Sequence, residues 1–252
     1  MHVMEVSVEK FITWMVAFMV SQAPPGRPMP IESAQESKED AEVRYESIAR
    51  SIATVVKEEE PLFAGTRGRV KTAAVILSVM SHESAFRKDV DFGVGKYSAG
   101  DNGNSVCLMQ LNIGKNKTGA WNTKLGRFAW PSDPVEDVVE GWTAKELLAD
   151  RTKCIRAGYR VLRMSFAGTR HLPTTEWLRI YASGSADKGS QASKTRMGLA
   201  LKYYAEHQPD FTDDTGMDPE LPFDPIATYL IVNQPAWSKK PAFRTFVLPS
   251  YY

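Results

Sequence analysis

The sequence predicts an all-α domain followed by an extended C-terminal arm, and three observations carry that expectation. Ala73-Ala74-Val75-Ile76-Leu77-Ser78-Val79-Met80 is apolar nearly all round, the mark of a helix inside a core rather than on a surface. Thr143-Ala144-Lys145-Glu146 has the Ser/Thr-x-x-Glu pattern of a capping box, which starts a helix. Beyond residue 208 the pattern changes. The segment 209–225 carries Pro209, Pro219, Pro222 and Pro225 with six acids and no base, which argues against a helix and for an arm over 209–252. At 252 residues, 43% hydrophobic and 24% charged, the chain has the composition of an ordinary globular protein with enough apolar content for a full core.

Taken in order, residues 8–20 place Phe11, Trp14, Met15, Phe18 and Met19 at helical spacing, as a core-packing helix does. Glu5 and Glu9 stand where a secretory signal would be basic, so no clear signal peptide is read, and the apolar run is too short to span a bilayer. Ala23-Pro24-Pro25-Gly26-Arg27-Pro28-Met29-Pro30 is a breaker-rich loop. Residues 37 to about 60 read as a second helix with Val43, Ile48, Ile52 and Val55 inward and a solvated acidic face outward. Residues 61–68 turn into the buried helix. After Thr143 a helix continues through Leu147, Cys154, Ile155, Tyr159, Leu162 and Met164, with room for a break. Pro173-Thr174-Thr175-Glu176 opens another, carrying Trp177, expected in the core, and Tyr181; residues 191–207 form the last.

Composition also narrows the function. A net charge of +1 implies no nucleic-acid partner, and the two cysteines, Cys107 and Cys154, make no disulfide framework, so free thiols are the default expectation. Four scattered histidines give no metal cluster, and His82-Glu83 is not a zinc-protease helix because Phe86 stands where the second histidine belongs. Charge is uneven along the chain. Residues 150–208 hold eleven Lys/Arg against four acids, a basic flank that suits an anionic polymer; no nucleic-acid motif accompanies it.

The candidate site centres on Ser81-His82-Glu83-Ser84-Ala85-Phe86. Glu83 arrives at the end of the apolar helix, where desolvation and the negative helix terminus both favour its protonated form. A carboxylic acid that keeps its proton near neutral pH is suited to general acid catalysis. The loop that follows is rich in turn formers: Asp91, Gly93, Gly95, Gly100, Asp101, Asn102, Gly103 and Asn104. It leads to Ser105-Val106-Cys107-Leu108-Met109-Gln110-Leu111-Asn112, where Gln110 and Asn112 are uncharged donor–acceptor groups suited to a hydroxyl-rich ligand.

Glu83-Ser84-Ala85-Phe86 followed by Leu108-Met109-Gln110 resembles the paired signature of the soluble lytic transglycosylases, and Ile180-Tyr181-Ala182-Ser183-Gly184 resembles their Ala-Tyr-Asn-x-Gly motif. These enzymes share the goose-type lysozyme fold and cleave peptidoglycan glycan strands. The likeness covers roughly residues 68–204, with residues 1–60 as a helical extension of one domain over 1–208. Cys107 stands at the family's usual glycine and Ala182 at its usual asparagine.

The resemblance implies a lysozyme-like fold with Glu83 as sole catalytic acid/base on the β-1,4 bond between the two amino sugars. The sugar's own 6-hydroxyl closes a 1,6-anhydro ring. Ser84, Ser105, Met109, Gln110, Asn112, Tyr181 and Tyr203 would contact the glycan, with Tyr204 the alternative to Tyr203; neither metal nor cofactor is expected. An inverting muramidase would instead hold water on a second acid, Asp101 or Asp91. A non-catalytic wall-binding or structural virion protein is the reading that Cys107 and Ala182 favour and Glu83 disfavours. A wall-directed protein without a visible signal fits delivery in a phage particle, among other virion proteins, or as an injected effector.

Overall fold

The computed structural model describes residues 2–65, 67–113, 118–122, 127–129 and 138–208; the expected arm at 209–252 lies outside the described residues. The described chain is mostly helical. Helix α1 spans His2–Gln22, α2 Lys38–Glu58, α3 Gly68–Glu83 and α4 Lys88–Phe92. Two short strands, β1 (Ser105–Val106) and β2 (Leu111–Asn112), pair as an antiparallel hairpin. Strands β3 (Thr118–Asn122), β4 (Arg127–Ala129) and β5 (Val138–Thr143) form an antiparallel sheet in the order β4-β3-β5. The chain then returns to helix: α5 Ala144–Ala149, α6 Arg151–Thr169, α7 Arg179–Ser183 and α8 Ser190–Glu206.

Helix α3 occupies the centre. Every residue from Thr72 to Met80 is buried, so the helix needs neighbours on all sides, and α1, α2 and α8 supply them. From α1, Phe18 and Met19 reach 0% exposure in the same cluster as Val75 and Ile76. Burying a side chain of that size contributes about 1.5–3 kcal/mol, so α1 is an integral wall of the core. Trp14 ties it to α8, donating its indole N–H to the His207 carbonyl at 2.6 Å.

The helix starts follow the sequence chemistry. Ser37 caps α2 by accepting from the Asp40 amide at 3.0 Å. Thr143 and Glu146 form the reciprocal capping box of α5. The break expected in the next helix falls at Asp150, whose carboxylate accepts from the Lys153 amide and so caps α6.

Four expectations are corrected or extended. Val43 is 70% exposed, not inward. At 100° per residue it lies about 140° around the helix from Ile48, while Tyr45, Ile48, Ile52 and Val55 form the buried stripe. Cys107 and Cys154 are not free thiols but a disulfide, Cα atoms 6.3 Å apart, pinning the β1–β2 turn to α6. The basic face of α6 lies along the end of α2: Arg156 pairs with Glu58 and Glu59, Arg160 with Glu59 and Arg163 with Glu60, so these surface acids are ion-paired while Glu58 and Glu60 stay exposed. The three-stranded sheet adds a β element to a chain read as all-α.

No helix among the described residues is long and apolar enough to cross a membrane.

Candidate functional site

Glu83 is the last residue of α3, and the structure stops the helix there by local chemistry. The Ser84 hydroxyl donates back to the Met80 carbonyl at 2.8 Å, and the chain then enters left-handed conformation at Ala85 (φ 49°) and Phe86 (φ 52°). Phe86 is buried edge-on against Phe18 and Tyr45, which fixes the exit direction. Arg27, from the proline-rich loop, donates to the Ala85 carbonyl at 3.0 Å.

The segment that follows Val106 is the turn of the β1–β2 hairpin. The Gln110 amide donates to the Cys107 carbonyl at 2.9 Å, and both residues have positive φ, 59° at Cys107 and 45° at Gln110. Met109 is fully buried against α6 where Gly158 stands; a Cβ there would come within 2.6 Å of the Met109 methyl. The Met109 carbonyl faces the other way and accepts the Tyr181 hydroxyl at 2.6 Å. Tyr181 is held on α7 by its own amide, which donates to Ser165 Oγ at 3.1 Å.

Of seven non-glycine residues with positive φ among the described residues, six lie between positions 85 and 110: Ala85, Phe86, Asp101, Asn102, Cys107 and Gln110. Each costs of order 1–3 kcal/mol, and such conformations gather where the surrounding structure must present groups in a fixed way.

From α8 comes a residue the sequence reading counted only as one of many bases. Arg196 donates from Nη2 (2.7 Å) and Nε (3.1 Å) to the same Glu83 oxygen, Oε1. The two side chains are 14% and 21% exposed, so the pair is largely buried yet open on one side. Glu83 Oε2 has no hydrogen bond among the described residues and is not sealed in the interior. Burial pushes the Glu83 carboxyl above the ordinary glutamate value; Arg196, and less strongly His82, pull it down, while Asp101 pushes it up. Burial prevails. The Tyr181 phenol is raised well above its usual range, by burial first and then by the Glu83 charge, so it stays a neutral donor.

Compared with protein-family models, with curated proteins and with solved structures, the chain matches none. The site therefore stands on its own geometry.

The remaining candidates take varied positions. Asp101 is exposed and feels Glu83 electrostatically. Ser105 donates to its carboxylate, and Asn112 Nδ2 lies 3.5 Å from it, so these two side chains orient Asp101. Asp91 lies elsewhere: it is buried, chelated by Arg151 at 2.9 Å and 3.6 Å from Arg44. A carboxylate so neutralised is unsuited to activating water. Ser84 is a helix cap. Gln110 closes its own loop, donating to the Cys107 carbonyl at 3.1 Å and accepting from the Gly100 amide at 2.9 Å. Tyr203 is packed between Trp14 and Phe18, its hydroxyl donating to the Trp14 carbonyl at 3.0 Å and its pKa pushed up to about 12 by burial. Tyr204 is half-buried with Lys71 over its ring. Among the described residues no group of three or more His, Cys, Asp or Glu side chains could hold a metal ion.

Glu83, Tyr181, the Met109 carbonyl, Arg196 and Asp101 thus form the constellation. It offers one acid with a single open oxygen, a fixed phenol, and a second carboxylate at the rim.

Proposed function

We propose that this protein is a peptidoglycan lytic transglycosylase on a lysozyme-like fold, with Glu83 as acid and then base. The observation that carries the reading is convergence. Three segments resemble that family's motifs, at positions 83–86, 108–110 and 180–184; the Tyr181 hydroxyl bonds the Met109 carbonyl, 72 residues away, and Tyr181 lies within electrostatic reach of Glu83. The departure at Cys107 also fits, since its φ of 59° is one that glycine adopts freely and the family usually has glycine there. A disulfide between Cys107 and Cys154 suits an oxidising compartment, as expected of a protein acting on the cell wall.

In this reading Glu83 protonates the glycosidic oxygen as positive charge develops at the anomeric carbon. The carboxylate then takes the proton of the 6-hydroxyl while that oxygen closes the anhydro ring. Tyr181, neutral and fixed, orients the sugar, and orientation is a large share of such rate enhancements. Delivery by a phage particle or as an injected effector belongs to the same proposal.

The test is Glu83→Gln assayed on purified cell walls. The shape is kept and the proton removed, so lysis should fall by about 10²–10⁴-fold in a folded protein. Wild-type clearing by the folded variant would sink the reading. A second reading, an inverting muramidase, has one specific observation in its favour: Asp101 is exposed, oriented by Ser105 and Asn112, and close enough to raise Glu83.

A further inference from the structure

Arg196 has no part in the motifs, yet its geometry is the most specific in the site. Its backbone carbonyl accepts Ser78 Oγ at 2.7 Å and its Nη1 donates to the Ala192 carbonyl at 3.1 Å. Ser78 and Glu83 are both on α3, so the guanidinium is fixed relative to that helix at both ends of its side chain. Two N–H groups then converge on Oε1 alone, where a fork-shaped group beside a carboxylate would ordinarily take both oxygens. Oε2 is left as the free oxygen.

We propose that Arg196 is a positioning residue for the reaction above: it grips Oε1, presents Oε2 to the glycosidic oxygen, and stabilises the carboxylate left when the proton departs. This rests on Glu83 being the acid. The cycle balances, since the proton leaves Oε2 for the departing sugar oxygen and is replaced from the 6-hydroxyl as that oxygen bonds to the anomeric carbon. Arg196 stays protonated throughout and touches no reacting atom. The pairing also sets the acid's strength. Burial alone would make Glu83 reluctant to release its proton, and an opposed cation offsets this, bringing the acid nearer the working pH where general acid catalysis is most effective. The other charged groups acting on Glu83 are His82 on α3 and Asp101 before β1, and Glu83 in turn acts on Tyr181 on α7.

The experiment uses the full chain and reads two quantities. In the wild type, with ¹³C-carboxyl glutamate and ¹⁵N arginine, the Arg196 Nε resonance should titrate together with the Glu83 carboxyl. In Arg196→Ala, the Glu83 carboxyl should titrate about 1–3 pH units higher. On soluble glycan strands kcat should fall about ten- to a hundredfold with KM little changed, within the range general acid catalysis commands. The alkaline limb of the rate profile should move up with the Glu83 titration, a shift that a merely structural residue would not produce. Arg196→Lys should restore most of the titration but not kcat, because one ammonium cannot replace two fixed donors. An Arg196 resonance that ignores the Glu83 titration overturns the proposal and needs no variant to fold. So does a folded Arg196→Ala with unchanged titration and kcat. Full lysis by Glu83→Gln removes the acid itself, and differs from those outcomes because the Arg196–Glu83 titration would remain coupled.

Discussion

Glu83 is a carboxyl whose resting charge is contested by its surroundings, and the outcome can be read as a pH dependence. Burial outweighs Arg196, so the folded-state pKa lies above the unfolded one. In the proposed reaction the protonated form is the acid; activity should therefore extend above the pH near ~4.3 where a free glutamate ionises, and be lost as pH rises through the raised value. Folding is linked with the same sign. The folded state binds this proton more tightly, so the stability it contributes is present at low pH and lost as pH climbs between the unfolded and folded pKa. A rate profile confined below about pH 4 would contradict the burial argument. This behaviour was legible in the sequence because a helix with no polar face announces burial, and the residue that ends it inherits the low-dielectric surroundings. Arg196 was not legible. It lies 113 residues from Glu83, and nothing in a run of bases says which one will face inward.

At the scale of elements, the hairpin turn at residues 107–110 depends on a covalent tie. Cys107 sits at φ 59°, costly for a side-chain-bearing residue, and its bond to Cys154 closes a separation of 47 residues. Replacing both cysteines by alanine should lower stability by about 2–4 kcal/mol. In calorimetry the thermal midpoint should drop by roughly 4–16 °C. Cys107→Gly with Cys154→Ala should recover about 1 kcal/mol of this, because glycine takes positive φ without steric cost. Equal midpoints for the two double variants would show that the left-handed turn is not maintained against strain. The sequence could not reveal this pairing, since two cysteines in a globular chain are free by default and only the docking of α6 on the hairpin brings them together. Nor did the helical period of α2 place Val43 correctly. A residue 140° off the stripe can be apolar at little cost because isolated exposed hydrophobics are common. Strand β5 hid behind a stronger signal: its last residue, Thr143, is also the N-cap of α5.

At the scale of the whole molecule, the proposed reaction raises the question of how many carboxylates take part, and of the two second acids read from the sequence the described structure leaves one within electrostatic reach of Glu83. Asp91 is withdrawn, chelated by Arg151 and flanked by Arg44 in the packing between α2, α4 and α6. Asp101 remains, exposed and aimed by Ser105 and Asn112 on the two strands of the hairpin. A transglycosylase has no use for it, because the substrate's own hydroxyl closes the ring; an inverting hydrolase needs it to hold the attacking water. Its geometry also has a simpler cause. Asp101-Asn102-Gly103 is a tight turn with φ of 48°, 56° and 89°, and a carboxylate accepting from neighbouring strands is an ordinary way to secure such a turn. Mass spectrometry of digested walls should therefore find 1,6-anhydromuramic ends. Asp101→Asn, which keeps the turn and loses the charge, should cost only a few-fold in rate; the Glu83 titration should fall slightly, since the charge that raises it is gone. Reducing ends together with a nearly inactive Asp101→Asn would transfer the assignment to the hydrolase while leaving Glu83 as the acid. Anhydro ends from an active Asp101→Asn would leave Glu83, steadied by Arg196, as the single carboxyl that does the chemistry.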